Sequence, residues 1–582
     1  MRLARTKGVT RQRGAPRAHP SWVLWALLGL AAAAAANPPA LFEDATERSG
    51  MDFVHFNGMS GELFFVEMVG HGGALFDYDN DGDLDAYIVQ GAMLGQDIPI
   101  EKAWFPPTKL PLSDRLYRND LGPEGPRWVD VTANSGITGP EYGMGVATGD
   151  FDNDGRVDLY VTNFGKNRLW RNLGQGRFED VTDASGTGDD SWSVSASIVD
   201  FDQDGLLDLY VANYVEYSLQ HNTRCFARST RRDYCGPASF PAARDRLYRN
   251  LGQGKFKDVT ADLLRDYQAG AGLGVVGGDF NGDGRVDIYV ANDGDANQLW
   301  LAQKDGSFVD DALFAGAAVN HAGRPEASMG VDAGDLDNDG DLDLFMTHLM
   351  GETNTLYINQ GKGLFEDRTS EFGLGSGSSR YTGFGTAWMD YDNDGWLDLL
   401  ILNGAVRILD TLQAKGDRYP LDEPNQLFKN VEGKRFDEVT AAAGPALAEQ
   451  EVSRGAAFGD VDNDGDTDVL VFNNNGRTRL WLNQNAQGNS WLGLRLFDPK
   501  VRRDASGAEV RVVLSAGQSI VRRARADGSY ASANDPRVLI GLGSHREAVD
   551  VEVKWPDGSR EAWTKLKLNR YHQLNKGGRE AQ

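Results

Sequence analysis

Seven nine-residue stretches set carboxylates at alternate positions. The first, Asp77–Asp85, reads DYDNDGDLD, and the pattern returns from Asp150, Asp200, Asp279, Asp335, Asp390 and Asp460. Position 1 is Asp in every copy. Position 3 is Asp79, Asp152, Asp202, Asn281, Asp337, Asp392 and Asp462, and position 5 is Asp81, Asp154, Asp204, Asp283, Asp339, Asp394 and Asp464. Position 9 is Asp85, Asp158, Asp208, Asp287, Asp343, Asp398 and Asp468, and position 6 is always Gly. Calcium takes roughly six to eight oxygens in a flexible shell, and a loop whose alternate residues point inward supplies them. The Gly permits the sharp turn. Position 7 is Asp83, Arg156, Leu206, Arg285, Asp341, Trp396 and Asp466, the scatter expected of a residue that offers only its backbone carbonyl. The expected cofactor is therefore calcium, up to seven ions, in a structural role. Solvated acidic turns without metal are the alternative, but acids crowded this closely repel one another unless a cation is present.

An EF-hand shares the DxDxDG opening but closes with Glu at position 12, between helices. Here position 12 is Ile88, Val161, Val211, Val290, Met346, Ile401 and Val471, and each loop runs into a β-rich stretch such as DLYVTN. The loops therefore join strands. Asn281 gives the fourth loop a neutral ligand in place of a charged one, so it is expected to be the weakest site.

The pieces around each loop recur. A Gly- and Ala-rich run precedes it, as in YGMGVATGD from Tyr142. A third run follows (LYRN at Leu116, LWRN at Leu169, LFKN at Leu427), then a fourth (WVDVT at Trp128, FEDVT at Phe178, FDEVT at Phe436). Four strands repeated seven times predict an all-β fold, a seven-bladed β-propeller. The fourth run is missing after LWLN at Leu480, while LFEDATE from Leu41 supplies Phe42, Asp44 and Thr46 ahead of the first loop. An N-terminal strand closing the last blade accounts for both and leaves no free edge. Small residues suit the crowded innermost strands, and aromatics of the outer runs are expected to pack between blades.

The links between second and third strands are long in repeats 1, 3 and 6, about 92–114, 215–246 and 404–425, on the face opposite the acidic loops. Three insertions on one face suggest a binding surface. The second contains RCFARSTRRDYCGP, with Arg224, Arg228, Arg231 and Arg232 as possible partner contacts for an anion or acidic glycan; a stapled surface loop is the alternative. Cys225 and Cys235 are the only cysteines, and a disulfide is expected if the chain is exported.

Residues 1–36 carry six basic residues, no acid, and an apolar run from Trp22 to Ala36. This is the layout of a secretory signal, with a retained N-terminal anchor as runner-up because the run is short for a bilayer. Removing it moves the formal charge from −26 to −32, and the loops hold 30 Asp residues. The acidity is thus accounted for by metal ligands, and it argues against nucleic acid. The propeller is assigned to 37–488. From 489 to 576 alternating strands such as GAEVRVVLS and AVDVEVKWPDGS form a separate small β-sandwich, with 577–582 as tail.

These residues resemble a known family. The repeats are similar to the FG-GAP or VCBS type of integrin α-subunit propellers. GAEVRVV, GSYASANDPRVLIGLG and VDVEVKWPDGS resemble the ASPIC and UnbV domain. With the LFEDATERSGMDFVHFNG opening, the chain looks like the cartilage acidic protein family, in a bacterial-type form because an EGF-like C-terminal extension is lacking. The resemblance implies an extracellular calcium-binding propeller whose ligand face lies opposite the calcium loops. The expected function is a secreted binding or adhesion module for an extracellular protein or glycan, with membrane contact only if the N-terminal segment is retained. The alternative is an enzyme acting on polysaccharides through the central channel. No nucleophile elbow is present, and His55, His71, His321 and His348 are dispersed.

Overall fold

The computed structural model describes residues 40–582 except 96–97, 140, 228–229, 485–487, 515–518, 579 and 582. The signal or anchor read in residues 1–36, and Arg228, lie outside the described residues. Among the described residues up to 483, seven blades of four antiparallel strands follow one another, six running outward in chain order from an innermost strand and the last taking its outer strand from the N-terminus. The first blade is Gly73–Phe76, Asp85–Ile88, Arg115–Asn119 and Trp128–Asp130. The fourth carries an extra parallel edge strand, Leu264–Arg265. In the last, Phe42–Asp44 pairs with Arg479–Asn483 in the register Phe42↔Asn483 and Asp44↔Trp481. Neighbouring innermost strands adjoin in a cycle that returns from Ser453–Gly459 to Gly73–Phe76, so the ring is closed.

Glycine makes this closeness possible. A Cβ on Gly145 would lie 2.4 Å from the Val194 carbonyl of the next blade, and one on Gly274 2.4 Å from that of Met329. Hydrophobic clusters fill the gaps between blades. Tyr87 and Leu116 of the first blade meet Leu159, Trp170 and Phe178 of the second, and Leu75 and Tyr117 meet Leu470 and Leu480 of the last. The fourth run ends six of the seven blades with one device, a Thr hydroxyl that the fourth blade lacks at Ala312. Thr132 Oγ1 accepts a hydrogen bond from the Leu116 amide at 2.9 Å, and Asp130 caps the Thr132 amide at 3.0 Å. In the last blade Thr46 and Asp44 of the N-terminal strand do the same for Leu480.

Residues 491–575 form two four-stranded sheets. One is centred on Trp491–Asp498, with Tyr571–Asn575 parallel beside it; the other contains Glu509–Val513 and Val549–Lys554. Leu494, Val510, Val512, Ile540, Val551 and Trp555 pack between them, making a sandwich.

Candidate metal centres and the domain that covers them

Each acidic loop is built the same way. Asp77 accepts hydrogen bonds from the amides of Asp81 and Gly82, both at 3.1 Å, and Asp81 accepts one from the Asp83 amide at 2.9 Å. Asp85, fully buried, takes the amides of Tyr78 at 3.1 Å and Asn119 at 2.9 Å, binding the loop to the third strand. These bonds gather acid onto acid. Ligand oxygens of Asp77, Asp79 and Asp85 lie within 4.8 Å of one another, as do those of Asp150, Asp152 and Asp158, of Asp200, Asp202 and Asp208, of Asp335, Asp337 and Asp339, and of Asp390, Asp392 and Asp398. Burial and neighbouring carboxylates push Asp85 up to about 9, and burial chiefly raises Asp208 and Asp287 to about 8. A divalent cation would reverse that pressure.

The donor set fits such an ion at one atom above all. In six loops a buried oxygen of the third residue has no hydrogen-bond partner: Oδ1 of Asp79, Asp152, Asp337, Asp392 and Asp462, and Oδ2 of Asp202. Arg249 extends toward the Asp202 oxygen as an ion pair at 2.5 Å without hydrogen-bond geometry. Asn281, the third residue of the fourth loop, instead accepts the Asp283 amide at 3.0 Å. Basic side chains also enter the loops. Lys429 pairs with Asp392 and Asp394, Arg156 with Asp154, and Arg285 with Asp283. Position 7 is therefore not idle where it is Arg: its side chain balances the fifth-position carboxylate.

The fourth position has a role that reading each loop alone does not reveal. Asn80, Asn153, Gln203, Asn338, Asn393 and Asn463 all have φ between 55° and 63°, a conformation Asn tolerates better than most residues. Each side-chain amide donates to the sixth-position carbonyl of the next loop: Asn80 to Gly155 at 3.1 Å, Asn393 to Gly465 at 2.9 Å, and Asn463 back to Gly82 at 3.4 Å. Only the fourth loop, with Gly282 here, lacks this amide. The recurring Asn of the third run is a second such tie. Asn172 Nδ2 donates to Tyr78 O of the preceding blade at 2.8 Å, and Asn250 Nδ2 to Phe151 O at 2.9 Å.

The C-terminal domain sits on the acidic-loop face. Tyr571 donates to Asp460 at 2.9 Å, Asn489 to the Asp392 carbonyl at 2.8 Å, and Trp491 packs on Gly465. From it the segment 527–535 descends into the propeller axis and touches all seven innermost strands. Ala533 exchanges backbone hydrogen bonds with Gly73 and Leu75, Val146 donates to Ala531 O, and Ser195 Oγ accepts from the Ala531 amide. Gly277 donates to Asp527, Val331 to Ser529 O, and Phe458 to Asn534. Tyr530, fully buried, meets the Phe384 ring edge-on at 5.0 Å and donates to Val69 O at 3.1 Å.

At the far end the axis is closed by the short helix Phe65–Met68. Around it lie the stacked pair His55 and His71, ring centroids 3.7 Å apart, Glu67 bound by Tyr234 at 2.9 Å, and Arg454, whose guanidinium meets the carbonyls of Met68, Gly404, Ser453 and Ala405. Burial lowers His55 to about 3, lowers His71, and raises Glu67 to about 8. The segment 527–535 and the helix Phe65–Met68 thus occupy the axis in which the alternative enzymatic reading places its channel. His348 is buried against Ser328 and Thr353, and His321 is exposed beside Asp367.

Two family descriptions match this chain. The FG-GAP-like repeat matches residues 150–211, 238–290, 279–346 and 348–401, and ASPIC and UnbV matches 498–581. Cartilage acidic protein 1 of Homo sapiens is 29% identical over 314 residues, 52% of this chain and 43% of that protein. The Xenopus tropicalis protein is 28% identical over 329 residues, 54% of this chain and 46% of its own length. This chain is similar to the cartilage acidic proteins over about half its length. The match spans less than half the length of those relatives. A solved structure of an Agrocybe aegerita lectin specific for non-reducing terminal N-acetylglucosamine is 15% identical with a TM-score of 0.34, covering 69% of this chain and 85% of that one, too slight a likeness to bear on ligand or partner.

The three insertions meet on the other face. Arg231 pairs with Asp410 at 2.6 Å and reaches Gln413, Arg232 reaches Glu62, and Arg418 stacks on Phe105 and donates to the Trp104 carbonyl at 3.2 Å. A disulfide joins Cys225 and Cys235. Arg231 and Arg418 thus hold the insertions together, Arg232 ties the second one to Glu62 ahead of the first blade, and Arg224 is exposed. Trp104, Leu110 and Phe226 expose 45%, 66% and 63% of their surface there, a larger apolar display than a solvated loop requires.

Proposed function

We propose that the chain is an exported propeller, stabilised by calcium in its acidic loops, that serves as a binding or adhesion module for an extracellular protein or glycan. The buried, unpartnered third-position oxygens carry the calcium reading. Such oxygens are costly in a dry site unless a cation completes their coordination. The disulfide supports an oxidising, exported location. Partner binding is assigned to the insertion face, because the acidic-loop face is occupied by the chain's own C-terminal domain.

Each site held at about a hundred times its dissociation constant adds about 2.7 kcal/mol to the folded state when the unfolded chain does not bind. Chelation should therefore lower the melting temperature by roughly 10 °C or more, and calcium, not magnesium, should restore it. A melt indifferent to chelator sinks the calcium reading. On glycan and protein arrays, the double change Trp104→Ala with Phe226→Ala should weaken a captured partner at least tenfold with the melt unchanged. Equal capture by both forms would remove the partner from this face.

A further inference from the structure

Three arginines of the C-terminal domain reach the acidic loops at one repeated feature. Arg503 donates to Asn153 Oδ1 at 3.0 Å and to Gly205 O at 3.3 Å. Arg522 donates to Asn338 Oδ1 at 3.1 Å and to Gly395 O at 3.0 Å. Arg537 donates to Asn463 Oδ1 at 2.7 Å and to Asp460 O at 2.8 Å. In every case the amide it grasps is a fourth-position amide, whose nitrogen already spans to the next loop: Asn153 to Gly205 at 3.1 Å, Asn338 to Gly395 at 3.2 Å, Asn463 to Gly82 at 3.4 Å. One guanidinium therefore fastens two neighbouring loops at once. A planar fork with several fixed donors is suited to this, and an ammonium is not.

The geometry of these contacts depends on the loops holding their tight turn. For Arg503 and Arg522 the accepting carbonyl belongs to the left-handed Gly at position 6, for Arg537 to Asp460 at position 1, and in all three the amide belongs to a left-handed residue at position 4. Positions 4 and 6 flank the fifth-position carboxylate. An ion drawing the first, third, fifth and ninth oxygens together fixes both turns. Without it, the crowded carboxylates repel and the turns open. Between the arginines, the axial segment is itself held away from its relaxed state. Ser529 and Ala531 have φ of 67° and 52°, a backbone cost that persists only while the innermost strands hold the segment in place.

From these observations we propose that the C-terminal domain is seated on the propeller by its calcium-ordered loops. Arg503, Arg522 and Arg537 are the positioning residues, so ion binding in the loops and insertion of residues 527–535 in the axis stabilise each other. The proposal rests on the calcium reading above. By linkage, the coupling runs both ways: ions favour the seated domain, and the seated domain tightens the ions. Emptying the loops unseats the domain and withdraws Tyr530 from the axis, uncovering the seven innermost strands at one end of the ring.

The test uses the full chain and calcium ion itself as the probe. Amide exchange is followed at Ala531 and Ala533, which donate to Ser195 Oγ and Gly73 O. Chelation below the melting temperature should speed exchange there at least tenfold, and added calcium should reverse it. In a calorimetric titration, Arg522→Gln should weaken calcium binding threefold or more, and Arg522→Lys should not rescue it. Calcium bound and removed with these amides equally protected throughout overturns the coupling alone, as does an unaltered affinity in folded Arg522→Gln. Failure of calcium to bind the folded chain at all overturns the calcium reading and this proposal together. The exchange measurement needs no variant, so it decides the matter even if Arg522→Gln does not fold.

Discussion

Asn281 is the one third-position residue among the seven loops that is not a carboxylate, and its surroundings compound the difference. Its oxygen is already engaged by the Asp283 amide, Arg285 pairs with Asp283, and Lys554 stands 3.7 Å from Asp279. Fewer negative charges and two cations at hand predict the weakest calcium site. Asn281→Asp should add a charged ligand and tighten that site roughly tenfold, about 1.4 kcal/mol. A calorimetric titration should then show one more tight ion, and an unchanged titration would place the weakness elsewhere. The ligand positions were legible in the sequence because their spacing is a local property of nine residues. The fourth-position amide and the third-run Asn were not, since the partner of each lies in another blade. Their recurrence was the available signal: an amide in six of seven loops, and an Asn ending six of seven third runs.

Among the elements, the fourth loop also interrupts the chain of loop-to-loop hydrogen bonds, because Gly282 has no side chain to offer. A Cβ built there meets nothing within 4 Å, and its φ of 72° is one Asn accepts. Gly282→Asn should reach the sixth-position carbonyl of the fifth loop as its counterparts do, and raise the calcium-loaded melting temperature by roughly 1 °C for about 1 kcal/mol. A lower melting temperature would mean that the gap between these loops serves some other contact. The strand Phe42–Asp44 could be assigned to the last blade from sequence because, with Thr46, it repeats the Phe, Asp and Thr of FEDVT at Phe178 and FKDVT at Phe256. The docking of the C-terminal sandwich could not. Arg503, Arg522 and Arg537 sit in unremarkable alternating strands or their flanks, and their partners are carbonyls and amides of another domain, 74 or more residues away. The small residues of the run GSYASANDP are what allow it to thread an axis already crowded by glycine.

At the scale of the whole molecule, two opposed pH dependences meet at the closed end of the axis. His55 and His71 are buried without partners for most of their ring nitrogens, and burial holds both pKa values below the ordinary 6.5. Their contribution to stability is complete above about pH 6.5 and is lost as pH falls, since the unfolded chain then binds protons the folded one refuses. Glu67 behaves in reverse. With its carboxyl raised to about 8, the folded chain keeps a proton that the unfolded one releases near 4.5, so its contribution is complete below that value and is lost as pH rises toward 8. Between pH 5 and 7 the two slopes oppose each other, and the intact protein should show a shallow profile there. Glu67→Gln keeps an acceptor for Tyr234 and removes one slope. At saturating calcium the variant should lose about 2.7 kcal/mol more than the parent between pH 7 and pH 5, because the two pH units over which Glu67 offsets the histidines are gone. Because the loop carboxylates titrate equally in both proteins, the difference between their denaturant midpoints isolates the axis. Parallel profiles would mean that Glu67 is ionised in the folded state, and that Tyr234 and its neighbours solvate it better than its burial implies.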